Sequence, residues 1–412
     1  MIKKITSSEL VMGSIILFFT FSIFNFLNFI FQFLMARMLG PAEYGIFAVI
    51  MALFYFMAVP SDSIQTVISK YTSKLKVKNE YGKIKLLLIK SLKRGFLIAA
   101  ILFILFIPVF WLFSYTLNIP FTLITLSGLM LFMFFTTPIT RGVMQGLKKF
   151  KALGTNMVID SSAKVILAIV FVFFGLRVYG AVISIILGGL IALVFSLIPL
   201  KNILRKKKEY SNFAGIYRYS WPVMFVLLAI LMMQSIDIII AKRFFPPEMA
   251  GQYAVANLIG KMIFFGTLSI SKTMFPLSSE EFEGNGDGKK TKDIFYKSLL
   301  IVSGICIASL LALILFPEII ITLLFGEEYL AITGILFNMG IAFSFISLSN
   351  LVLIYGLSIN KKIPTYYMVA FILIQAILLM LMHNSLMELS IAMIISTLLL
   401  FFGSLIIIRK KS

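Results

Sequence analysis

Apolar stretches near 20 residues long recur along the whole chain, separated by short polar or basic segments. At ~1.5 Å per residue, each is long enough to cross the ~30 Å hydrocarbon core of a bilayer as a helix. Lipid offers open backbone no hydrogen-bond partner, so spanning segments must be helices or a closed barrel. The stretches are continuously apolar rather than alternating, which excludes the barrel. Composition agrees. The chain is 60% hydrophobic and 13% charged, whereas a soluble domain carries about a quarter of its residues as charges. Twelve spans are predicted, at 10–36, 44–69, 93–115, 119–146, 154–175, 179–200, 219–241, 249–275, 295–316, 329–358, 364–382 and 387–408. The first is too long, and lacks the small-residue cleavage site, to be a signal peptide, so it is expected to be retained.

The net charge of +20 points to nucleic acid only if its distribution is ignored. With the N-terminus inside, 31 of the 37 Lys and Arg residues fall in inside segments and 4 in outside loops (Arg37, Arg177, Lys242 and Arg243). That bias places both termini in the cytoplasm of a multi-pass inner-membrane protein and leaves nucleic acid no role. Residue 75 is expected inside and residue 178 outside. The basic loop at 70–92 serves topology and attracts anionic headgroups. Residues 201–218, with Arg205-Lys206-Lys207-Lys208, read as a linker between halves. The lone Cys306 and lone His383 exclude a disulfide framework and a Cys or His metal cluster. The acidic run Glu280 to Asp287 lacks calcium-loop spacing.

The chain also repeats itself. Residues 37–49 read RMLGPAEYGIFAV and residues 243–255 read RFFPPEMAGQYAV. At a constant offset of 206, Arg37 matches Arg243, Pro41 matches Pro247 and Gly45 matches Gly251. Each copy forms the first outer loop of its half. Six spans per half insert both copies the same way up, giving two six-helix bundles, 1–205 and 206–412, related by a parallel pseudo-two-fold axis along the membrane normal.

These residues resemble a known group. Asp237-x4-Lys242-Arg243-x3-Pro247-Glu248-x2-Gly251-x-Tyr253-Ala254-Val255-Ala256 is similar to the seventh-to-eighth helix segment of Wzx-type polysaccharide transporters, and Ala36-Arg37-x2-Gly40-Pro41-x-Glu43-Tyr44-Gly45 to the first-to-second. These are the oligosaccharide flippases of the multidrug/oligosaccharidyl-lipid/polysaccharide superfamily. The resemblance implies two bundles around a central cavity. Alternating access would move a lipid-linked sugar diphosphate between leaflets while its lipid tail stays in the membrane. No cofactor is implied, although coupling to H+ or Na+ is open. The expected partners are the lipid-linked oligosaccharide and membrane lipids, for a monomeric protein.

Charge deep in a span costs at least ~2.5–3.5 kcal/mol on insertion scales and marks a functional candidate. Lys261 lies mid-span, too deep to snorkel with ease. It reads as a cavity cation for a diphosphate or as half of a structural ion pair. Lys164 sits four residues after Asp160, the favoured helical pairing, which would either neutralise it or set its rotamer on a cavity wall. Arg141, after Pro138, is a cavity, gate or snorkelling residue. Asp237, close to Lys242 and Arg243, reads as an outer-gate salt bridge or a coupling-ion site, with Arg37 and Arg243 at the same gate. Asp62, after Pro60 and Ser61, could bind a cation at a polar break in the second span or equally be solvated in the cavity. Asn25, Asn28 and Gln32 share one face of the first span and are expected to line the cavity, together with Gln234 and Asn257. Packing hydrogen bonds would explain any one of these singly.

Two other functions compete. A glycosyltransferase or glycan polymerase needs catalytic groups on a sizeable loop or domain. The outer loops are a few residues long, with no paired carboxylates or nucleophile–base pair, so no catalytic residue is assigned. A drug exporter of the same superfamily would want buried acids and aromatics for organic cations, and the spans hold both signs of charge.

Overall fold

The computed structural model describes residues 7–55, 57–210, 228–285, 288–359, 361 and 365–409. All regular structure among them is helical. In chain order the α-helices are α1 (Ser7–Tyr55), α2 (Ala58–Val77), α3 (Tyr81–Leu117), α4 (Phe121–Gly128), α5 (Met130–Gly146), α6 (Phe150–Phe171), α7 (Arg177–Leu204), α8 (Ile236–Phe244), α9 (Pro247–Asn285), α10 (Gly288–Leu315), α11 (Pro317–Leu324), α12 (Thr333–Ser358), α13 (Thr365–Leu381) and α14 (Leu386–Arg409). Residues 228–233 add a short helical stretch before α8.

Among the described residues, eight helices are long and apolar enough to cross a membrane. One of them, Phe150–Leu204, runs for 55 residues. At 1.5 Å per residue that is ~80 Å, far more than one crossing needs. It is broken where Gly175 (φ +86) and Arg177 (φ +45) leave helical geometry. Glycine adopts such angles without a Cβ penalty. Gly40 (φ +72) likewise breaks α1 into two helical stretches. The α2 helix starts at Ala58, which puts Pro60 in its first turn, where a missing N–H costs nothing. The α3 helix stops on Asn118 in the left-handed conformation, with its N–H returned to the Ser114 carbonyl, an ordinary C-terminal cap.

The contacts define two units: Met1–Leu39 with Met57–Ser220, and Gly40–Phe56 with Trp221–Ser412. The first unit packs α2, α3, α5, α6 and α7 around Ile68, Ile84, Leu88, Val143, Met157 and Leu200. One close approach uses Gly142-x-x-x-Gly146 on α5, where a methyl group would lie 2.7 Å from the Gln65 carbonyl oxygen and 2.5 Å from that of Ser69. Small residues of this spacing let helix backbones meet without a hydrophobic driving force. The second unit is built on α12, buried around most of its circumference and packed against α9, α10 and α14. An apolar helix buried on all sides is the expected centre of such a bundle.

Candidate functional site

Two helices carry matching polar stripes. On α6 they are Asn156, Asp160 and Lys164; on α9 they are Tyr253, Asn257 and Lys261. A spacing of four keeps each set on one helix face, and each stripe ends on a lysine.

In the first unit, Asp160 pairs with Arg141 of α5, not with Lys164. Arg141 donates from Nη2 to Asp160 Oδ2 at 2.7 Å and from Nε to Asn156 Oδ1 at 3.0 Å. Asn156 in turn donates to the Ala192 carbonyl of α7 at 2.6 Å. Lys164 is half-buried and donates to the Asn28 side-chain oxygen on α1. Its Nζ lies 4.7 Å from the Phe31 ring centroid. The i, i+4 pair expected from sequence is displaced because a planar guanidinium offers two directed donors to neighbouring acceptors, which an ammonium cannot match. The carboxylate's charge is taken by Arg141, and Lys164 is met by a neutral amide and a ring.

In the second unit, Asp237 is fully buried. Its Oδ2 accepts from Asn257 Nδ2 at 2.7 Å and from the Tyr253 hydroxyl at 3.0 Å, while Oδ1 has no partner among the described residues. No ion pair joins Asp237 to Lys242 or Arg243 within 4 Å among the described residues, so the expected outer salt bridge is not formed. Gln234 and Asn257 are buried beside it, and Asn257 also donates to the Gln234 carbonyl at 3.2 Å. Lys261, 5% exposed, sits about 20 Å along α9 from its first residue at 1.5 Å per residue. Its Nζ lies 5.0 Å over the Tyr55 ring. It too has no carboxylate within 4 Å among the described residues. A ring face stabilises such a cation by roughly 0.5–2 kcal/mol, less than an ion pair's Coulomb energy at equal burial.

The two copies of the repeated motif touch. A methyl group at Gly45 would lie 2.9 Å from the Gly251 nitrogen, and one at Gly251 would lie 1.6 Å from the Pro41 carbonyl oxygen. Tyr44 and Tyr253 are buried at this turn, and Gln252 donates to the Glu328 carbonyl at 3.0 Å.

The other predicted residues are more dispersed. Asn28 joins the Lys164 cluster, and Gln32 is half-buried on the same helix. Asn25, Arg37, Asp62 and Arg243 are exposed. Sequence reasoning passed over Asn156 and Tyr55. The four-residue spacing from Asn156 to Lys164 would have found the first. Tyr55 comes from a distant segment, and nothing local marks it.

The family model described as "Polysaccharide biosynthesis protein" matches residues 10–282. An uncharacterised membrane protein of Methanocaldococcus jannaschii is 26% identical over 311 residues, 71% of each chain. Among solved structures, the inward-facing conformation of a multidrug-resistance MATE transporter of the MOP superfamily aligns with a TM-score of 0.76 and 14% identity, covering 93% of this chain and 94% of that one. The lipid II flippase MurJ, in an inward closed conformation, aligns with a TM-score of 0.74 and 15% identity, covering 97% and 88%. A Pyrococcus furiosus MOP transporter, whose reversed binding-pocket polarity suggests a different function, aligns at 0.61 with 14% identity, covering 98% and 96%. At these identities the structural likeness is one of fold.

Proposed function

We propose, from the premise that the chain belongs to the polysaccharide biosynthesis protein family, that it is a flippase for a lipid-linked oligosaccharide. The substrate would be a polyprenyl-diphosphate sugar, moved from the inner to the outer leaflet of the cell membrane by alternating access, for surface polysaccharide synthesis. The reading takes the protein as a monomer of twelve spans in two six-helix halves, with both termini cytoplasmic. One observation supports it: among the described residues, both deep lysines, Lys164 and Lys261, are met by neutral groups (Asn28, Phe31 and Tyr55) and have no carboxylate within 4 Å, Asp160 and Asp237 acting on them only at longer range. A cation held deep in a span without a counter-ion in contact is costly, and that cost is offset when an anionic ligand arrives. A diphosphate supplies the charge and the acceptor oxygens.

The cations are few, which suits a carrier that must release its cargo. Asp237, whose Oδ1 has no partner among the described residues, is the group we assign to coupling with H+ or Na+. Arg37 and Arg243 are assigned to the outer gate. A buried acid also favours a second reading, the export of organic cations. Everted membrane vesicles separate the two. The flippase reading predicts movement of lipid-linked sugar headgroups into the lumen and no accumulation of organic cations. Cation accumulation without headgroup movement would replace it.

A further inference from the structure

On the basic face of the first unit, the ends of α2 and α7 and the α5–α6 connection enclose an open cleft of about 690 Å³. Among the described residues its lining includes four cations, Lys76, Lys149, Arg205 and Lys206, and no acid. Lys76 donates to the Leu147 carbonyl at 2.7 Å and Lys149 to the Pro199 carbonyl at 2.5 Å. These bonds fix the two ammonium groups in place. The nearby acid Glu80 is bridged by Lys83 at 2.8 Å, a hydrogen bond that holds its carboxyl below the usual range. Glu209 lies against Gly82. Arg205 and Lys206 are exposed, and their side chains make no hydrogen bond or ion pair among the described residues.

We propose that this cleft binds the phosphate headgroup of an anionic phospholipid. Converging cations in the membrane's interfacial layer select phosphate by charge and donors. The flank of α7 distinguishes a lipid from a free phosphate. Leu190, Val194 and Ile198 are 42%, 56% and 66% exposed, and at a spacing of four they form one apolar stripe. The next position on that stripe is Asn202, which lines the cleft. A diacyl lipid seated there would place its headgroup among the cations and its chains along the stripe. The cleft lies about 6 Å beyond Ile198 at 1.5 Å per residue, the depth of the headgroup layer. It shares no residue with the Lys164 and Lys261 clusters, so it stands independently of the transport reading.

Native mass spectrometry of the full-length protein, released from micelles with equimolar phosphatidylglycerol and phosphatidylcholine, is the test. Wild type should retain phosphatidylglycerol selectively. Arg205→Gln/Lys206→Gln removes two cations without breaking an internal bond, and should lower that retention by roughly tenfold or more. Its unfolding temperature in lipid-free detergent should be unchanged. Lys292→Gln/Lys297→Gln, the same charge loss in the other unit, should leave retention intact. Equal retention by the cleft variant, or an equal loss in the control variant, would overturn the proposal. So would displacement of the lipid by millimolar inorganic phosphate, which would reassign the cleft to a free anion.

Discussion

At the scale of residues, the organising feature is how charge is shared within each polar stripe. On α6, Asp160 serves Arg141, which leaves Lys164 with Asn28. Asp160→Asn should therefore strand a half-buried guanidinium. The expected loss is about 1–3 kcal/mol of stability, read as a lowered unfolding temperature, and an unchanged temperature would show the pair to be idle. Lys164→Met removes a cation held, among the described residues, by a neutral amide and a ring, so it should leave the unfolding temperature nearly unchanged while transport falls. The candidate lysines were legible in the sequence because charge inside a span is rare. Their partners were not. The i, i+4 rule points Lys164 at Asp160, and the competing guanidinium arrives from another helix, fifteen or more residues away in sequence. Tyr55 beneath Lys261 is a tertiary contact of the same kind, invisible to any local pattern.

At the scale of elements, the repeated turn does more than end a helix. The offset of 206 marked Gly45 and Gly251 as equivalent, but only the packed structure puts one against the other. Space decides what each can tolerate. Gly251→Ala must push the α9 turn away from Pro41, an overpacking that costs about 1–3 kcal/mol. Hydrogen exchange of the amides in residues 41–50 should then quicken by roughly tenfold or more. Gly266→Ala, on the same helix with open space around it, should leave that exchange unchanged. Equal behaviour of the two variants would mean the Gly45–Gly251 contact does not hold the turn. Breaks in the helices were read less well. The polar break expected at Pro60 to Asp62 is not found: these residues lie in the continuous α2 helix, with Pro60 in its first turn, where proline is tolerated.

At the scale of the whole molecule, apolar length and the distribution of basic residues carry most of what the sequence says. All-helical, multi-pass architecture follows from the bilayer's refusal of open backbone. The Lys and Arg bias leads us to expect both termini inside, and that expectation yields a prediction whose labelling sites the structure refines. Residues 75 and 178 are buried, so labelling belongs at their exposed neighbours Val77 and Phe174, 84% and 77% exposed. In a Cys306→Ala background, an impermeant thiol reagent outside intact cells should modify Phe174→Cys and spare Val77→Cys. The reverse pattern would invert the topology. The central claim is that a deep cation with no carboxylate in contact among the described residues receives the diphosphate of a lipid-linked sugar, and headgroup translocation in proteoliposomes tests it most directly. Lys261→Ala should insert and fold yet lose translocation, and Lys261→Arg should recover part of it, since charge persists while geometry changes. Wild-type translocation by Lys261→Ala would contradict the account.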